Sequence, residues 1–228
     1  MPVDTNADLP VTVASRGEDF LDLEFGFAPG AGVLKAGTGE WSLAGGALVA
    51  RVFGGGAAGV ARPFAVYDGP TLMAADLVVT ASVTVDPTPP TGHTSSTPPR
   101  AEVLLRGDNG ARLGVGVRLG AQPGYFVSLR QPGGEPEEER KTAFGGEVSA
   151  PAAGVPLRMR LTAENGEISV FLGADEPMKL AFKKRLEYAR IEGAVALSCV
   201  EATCRFDKLI VAGRPSQVRP PPVEPPRP

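Results

Sequence analysis

Alternation of apolar and polar residues, recurring from Trp41 to Val211 and broken by turn-forming pairs, is the feature that most restricts how this chain can fold. Val103 and Leu105 precede Asp108-Asn109-Gly110, and Leu113, Val115 and Val117 follow it; Tyr125, Val127 and Leu129 keep the same parity. Leu157, Met159 and Leu161 stand before Asn165-Gly166, and Ile168, Val170 and Leu172 after it. Successive side chains on a strand point to opposite faces, so a period of two places all of these on one buried face. Asn-Gly accepts the positive φ of the tight turns that match strand twist, and both sites are expected to close β-hairpins.

Other segments extend the pattern. DFLDLEFGF at 19–27 is one strand, GEWSLAGGALVARVF at 39–53 is two about Gly45-Gly46, with Trp41 a core plug, and Gly54 to Gly59 is a flexible break. ARPFAVY and MAADLVVTASVTV follow, the second alternating through Leu77, Val79, Ala81, Val83 and Val85. Val195 and Leu197 lead to RFDKLIVAG, whereas PMKLAFKKRLEYARIEG at 177–193 fits a short helix or a strand equally well. Glycine (29) and proline (23) suit many turns and few helices, and a hydrophobic content of 43% argues against general disorder. An all-β antiparallel sandwich over 18–213 is expected. An arm at 1–17 adds an edge strand through Leu9, Val11 and Val13, and a proline-rich tail at 214–228 takes an extended, polyproline-type form. Residues 86–99, DPTPPTGHTSSTPP, form a long loop of the kind that is either a mobile insertion or a binding loop.

Charge and cysteine content restrict partners. A net charge of -3 gives no overall attraction to nucleic acid, and no run of 18 apolar residues is present to span a bilayer. Met1 leads into Pro2-Val3-Asp4-Thr5-Asn6, which lacks the basic start and apolar stretch of a secretory signal. Cys199 and Cys204 flank Val200-Glu201-Ala202-Thr203, read as a hairpin loop that brings the two into bridging range. A disulfide here implies an oxidising compartment; the alternative is two reduced thiols on adjacent strands.

Three stretches resemble a known fold family: EDFLDLEFGF, GEWSLAGGALVA, and GAVALSCVEATCRFDKLIVAG. They resemble the concanavalin-like jelly roll, laminin-G-like domains, and the bacterial 3-keto-disaccharide hydrolase-like domain. Lys208 stands where that family often has asparagine, and the cysteines are not typical of it. The resemblance implies a jelly-roll β-sandwich of a class that commonly binds glycans or proteins and includes some hydrolases.

Residues able to do chemistry are few. His93 is the one histidine, and its place in the 86–99 loop reads as solvated, leaving no base for a nucleophilic triad. Zinc needs four N/S ligands where the chain has three. The E-x-D-x-x-E string of retaining glycosidases on such sandwiches does not occur; Asp19, Asp22 and Glu24 come nearest, in what reads as a structural strand. Asp19 and Asp207 are the candidates for a structural calcium, and no other cofactor is expected. Arg106-Gly107-Asp108 is explained by turn chemistry, and EPEEER at 135–140 by a solvated loop. Strand parity puts Arg106, Arg112, Arg118, Phe126, Arg130, Arg158 and Arg160 opposite the core face, with Gly114 and Gly116 among them. On a shared sheet these would form guanidinium forks around a shallow glycine floor with an exposed ring, suited to carboxylate or sulfate groups.

The function expected is a non-catalytic recognition module, at a cell surface or on a larger particle, binding a glycan, acidic in the arginine-face reading, or a protein. The alternatives are a structural subunit docked through its extended termini and a carbohydrate-active hydrolase.

Overall fold

The computed structural model describes residues 7–54, 64–133, 139–140, 149–173, 177–188 and 190–216. The strands in chain order are β1 (Ala7–Arg16), β2 (Leu21–Gly26), β3 (Gly32–Ala36), β4 (Glu40–Ala44), β5 (Ala47–Val52), β6 (Phe64–Tyr67), β7 (Leu72–Met73), β8 (Leu77–Asp86) and β9 (Arg100–Arg106). They continue with β10 (Arg112–Arg118), β11 (Gly124–Arg130), β12 (Glu139–Arg140), β13 (Leu157–Glu164), β14 (Glu167–Gly173), β15 (Lys179–Arg185), β16 (Glu192–Val200) and β17 (Ala202–Gly213).

Pairing is antiparallel throughout and sorts the strands into two packed sheets. The first runs β1–β3–β6–β16–β9–β10–β11–β12. In the second, β17 has β8 along one flank and β5 and β2 along the other, and β13, β14 and β15 continue beyond β8. β1 belongs to both: residues 7–11 pair with β3 and residues 12–16 with β2. This is an antiparallel β-sandwich of jelly-roll type.

The core lies between the sheets and takes its side chains from the expected parity. Val103, Leu105, Leu113 and Val115 from the first sheet, and Val79, Met159, Leu161, Val170 and Phe206 from the second, are each at most 2% exposed. Trp41 is buried, and its Nε1 donates to the Thr38 carbonyl at 3.1 Å. Removing ~25 cal/mol of unfavourable hydration per Å² of apolar surface is what stabilises such a two-layer arrangement.

The two Asn-Gly sites behave differently. Asn165 (φ 52°) and Gly166 (φ 77°) form a two-residue turn with Glu164 opposite Glu167, and Gly45 (φ 57°) and Gly46 (φ 73°) do the same between β4 and β5. Between β9 and β10, Arg106 lies opposite Arg112, so five residues make the loop. There only Gly110 (φ 79°) is left-handed, and Asn109 acts through its side chain, Oδ1 accepting from the Ala111 amide at 3.0 Å. The undecided 177–193 segment contains a strand, β15, at the edge of the second sheet.

Cys199 and Cys204 are disulfide-bonded, with Cα atoms 5.9 Å apart, but the connection is not the hairpin expected. β16 pairs with β6, β7 and β9, whereas β17 pairs with β2, β5 and β8. The chain turns from one sheet to the other at Glu201, and the bond joins the sheets through the core, both cysteines being fully buried. Beyond β17, Arg214–Ser216 lie against β7, with the Met73 amide donating to the Arg214 carbonyl and the Ser216 amide to the Thr71 carbonyl. Most of the glycine break (55–59), most of the acidic string (135–138), the start of the arm (1–6) and the tail from 217 lie outside the described residues.

Candidate functional site

The arginine set expected on one face is divided by the fold. Arg106, Arg112 and Arg130 form a single cross-strand row at one end of β9, β10 and β11, and Arg118 lies opposite Arg100 at the other end. Arg158 and Arg160 lie on β13, in the second sheet. Parity identified the non-core face of each strand correctly but carries no information about which sheet the strand joins.

Nor is the glycine floor open. Phe126, expected as an exposed ring, is 5% exposed and folds over Gly116, where an added Cβ would come within 2.3 Å of its Cζ. Leu104 covers Gly114 in the same way, its Cβ 2.5 Å from such an atom. Glu102 and Ser128 are buried beside them and hydrogen-bonded to each other. The arginines at the two ends are already engaged with the protein. The Arg106 guanidinium lies 5.0 Å from the Phe64 ring centroid, Arg118 Nε donates to the Gln122 carbonyl at 3.3 Å, and the Arg130 guanidinium packs under Gly110.

His93, expected to be solvated, is instead partly buried, its side chain 22% exposed. Its Nε2 donates to Glu201 Oε2 at 2.6 Å, its ring meets Phe53 edge-on at 5.6 Å, and the second carboxylate oxygen accepts from the Gly54 amide at 3.1 Å. This cluster ties the 86–99 loop to the corner between the sheets, which is a structural role. Of the calcium candidates, Asp207 accepts from Arg205 Nε at 2.7 Å, and Asp19 sits in the bend before β2. Among the described residues no three His, Cys, Asp or Glu side chains gather as they would about a metal.

The opening best suited to a polar ligand lies on the outer face of the second sheet. It is a basin of about 770 Å³ bounded by Phe20, Asp76, Arg160, Glu164, Phe171 and Arg214. Arg160 and Phe171 are directly opposed on β13 and β14, and Thr162 lies between Val78 and Ser169 in the next row. Opposed residues on an antiparallel pair have Cβ atoms ~5 Å apart, so the guanidinium and the ring stand side by side on the outer face. Phe20 stands 44% exposed on the opposite side. Arg214 Nε donates to Asp76 Oδ2 at 2.9 Å, which fixes one wall, and Asp76 holds φ at 61° where β8 begins. Arg160 is exposed, and among the described residues no carboxylate or carbonyl engages it.

No protein-family model matches the sequence, and no curated protein matches it. The structure is similar to the carbohydrate-binding module CBM66 from Bacillus subtilis, at 12% identity and TM-score 0.49, over 78% of this chain and 92% of that one. It is also similar to the potassium-bound carbohydrate recognition domain of Emp46p, at 11% identity and TM-score 0.48, over 76% of this chain and 85% of that one. A third likeness is to the GH43 BlXynB protein from Bacillus licheniformis, at 12% identity and TM-score 0.48, over 75% of this chain but only 34% of that one. Nothing about a ligand or a reaction follows from likenesses at this level.

Of the basin residues, sequence reasoning had singled out Arg160 alone. Phe171 carried a signal, since it sets a large ring on the outward parity, between the inward positions Val170 and Leu172. Phe20, Asp76 and Arg214 carried none, because they come from three separate connections that only the folded sheet brings together.

Proposed function

We propose that this protein is a non-catalytic recognition module whose ligand is a glycan bearing carboxylate or sulfate groups, held in the basin on the second sheet. The observation that carries the reading is the pairing of an exposed, unengaged Arg160 with the Phe171 ring in one cross-strand pair, facing Phe20. A sugar offers a C–H face that packs on an aromatic ring, and an acidic substituent offers two oxygens that a guanidinium binds in a fork. Glu164 and the Asp76–Arg214 pair supply acceptors and donors for hydroxyl groups around the rim. The basin is open and shallow, which suits a chain passing across the sheet.

Titration calorimetry with uronic-acid oligosaccharides and their neutral counterparts tests this directly. Arg160→Ala should weaken binding of the acidic ligand at least tenfold, Phe20→Ala should weaken both, and neither should lower the melting temperature by more than a few degrees because both side chains are exposed. Joint replacement of Arg118 and Arg130 by alanine should leave affinity unchanged, since they lie on the other sheet. Equal binding by wild type and Arg160→Ala would overturn the assignment. Release of reducing sugar from the same oligosaccharides would overturn the non-catalytic part alone.

A further inference from the structure

The basin is one end of a longer arrangement on the same face. Beyond Arg160 the outer side of β8 presents Thr80 and Ser82, both half-buried, and beyond them β17 presents Lys208 and Ile210, both exposed. The strand registers align these side chains in two rows: Arg160 lies opposite Thr80 and Thr80 opposite Ile210, while Ser82 lies opposite Lys208. Alternate residues of a strand share a face, so Lys208 and Ile210 stand together on β17 as Arg160 and Phe171 do across β13 and β14. The face thus carries the same pair twice, a cation beside an apolar surface, once on each flank of a hydroxyl-bearing strand. Arg160 and Lys208 have no ion-pair partner among the described residues, whereas Arg158, in the row of Lys208, is already engaged by the protein.

Two strand spacings of ~4.8 Å and a two-residue offset of ~6.6 Å along the strands put the Arg160 and Lys208 backbones roughly 12 Å apart. A disaccharide repeat covers about that distance. A chain with an acid on every sugar would set its middle acid over Thr80 and Ser82, which carry no positive charge, whereas a chain with an acid on every second sugar meets a cation with each one. Charge also selects the direction of travel. Straight across from Arg160 the row passes Ile210 and reaches Glu24, with Asp22 beside it on β2, both exposed, and like charge there opposes an anionic chain. The diagonal towards Lys208 avoids them, and the carboxylate next to Lys208 in sequence, Asp207, is held by Arg205 Nε at 2.7 Å.

We propose that the ligand of the basin is an acidic polysaccharide with one acidic group in every two sugars, which crosses the second sheet on a diagonal from Arg160 over Ser82 to Lys208. This rests on the acidic-glycan reading of the basin and adds to it a second binding position, at Lys208 and Ile210, that selects a polymer over a short chain.

Hyaluronate di-, tetra- and hexasaccharides, in which glucuronate alternates with N-acetylglucosamine, read this out when titrated into the full chain by calorimetry. The tetrasaccharide should bind at least tenfold tighter than the disaccharide, because its second acid reaches Lys208 at no further cost of association. Lys208→Ala should remove most of that advantage and leave the disaccharide unchanged, whereas Arg160→Ala should weaken both; the two positions are exposed, so both variants should melt like the wild type. A tetrasaccharide advantage that survives Lys208→Ala would overturn the diagonal. Tetragalacturonate, with an acid on every sugar, binding tighter than the hyaluronate tetrasaccharide would overturn the spacing. In either case the basin reading stands if Arg160→Ala still weakens the disaccharide; if no oligosaccharide binds, or Arg160→Ala binds them all like the wild type, the basin reading fails and the diagonal with it. Single-stranded DNA and polyglutamate of matched charge should bind at least tenfold more weakly than the tetrasaccharide, and equal binding by either would overturn the assignment to a polysaccharide.

Discussion

Glu201 combines a left-handed backbone, φ 51°, with a carboxylate that is 3% exposed, two features that each cost free energy. The position is sustained because the carboxylate is satisfied twice, by the Gly54 amide and by His93. His93→Ala removes one of those donors and leaves a buried charge half-satisfied. It should destabilise the fold by on the order of 2 kcal/mol in a denaturant titration, with Glu201→Gln costing less than Glu201→Leu because the amide still accepts from Gly54. At the start of the same loop the Thr88 hydroxyl and amide donate to Asp86, holding its carboxyl below the ordinary value of 3.8. A depressed carboxyl pKa contributes stability that is fully present above the ordinary value and is lost as pH falls through the depressed one. Thr88→Val should therefore raise the Asp86 pKa towards 3.8, seen by carboxyl-carbon NMR titration; no movement would show that the Thr88 amide alone sets it.

At the scale of elements, the strands were legible and their partners were not. Hydrophobic alternation located β8, β9, β10, β13 and β14 because each turns one run of alternate apolar residues to the core, and Asn165-Gly166 formed the two-residue turn its chemistry demands. Asn109-Gly110 lies instead in the five residues beyond the Arg106–Arg112 pair, where the Gly107 amide donates to the Ala111 carbonyl and only Gly110 is left-handed. Sheet membership is decided by contacts far apart in sequence, so Arg158 and Arg160 could not be separated from Arg106 and Arg112 by parity. The same limit turned a hairpin into a corner at Cys199 and Cys204. Six residues closed by a bond constrain the unfolded chain only modestly, and replacing both cysteines by alanine should cost about 2 kcal/mol. For a chain of this size that corresponds to roughly 4–8 °C in melting temperature by calorimetry, and a much larger fall would show that the corner itself depends on the bond.

Taken whole, the molecule carries its charged basin on the outer face of the second sheet, away from the core between the sheets. The basin escaped the sequence because its residues come from the turn before β2, the start of β8, two strands and the segment after β17. β17 carries a consequence of another kind. It is the last strand of the sandwich, yet it sits in the interior of the second sheet, with β8 on one side and β5 and β2 on the other. During synthesis at ~5–20 residues per second, the edges of β2, β5 and β8 are made well before the strand that covers them, and wait on the order of 10 s or more. Folding cannot then proceed from the N-terminus outward as each strand emerges; the second sheet closes in one late step, when Ala202–Gly213 slots between edges that are complete once Asp86 has been made.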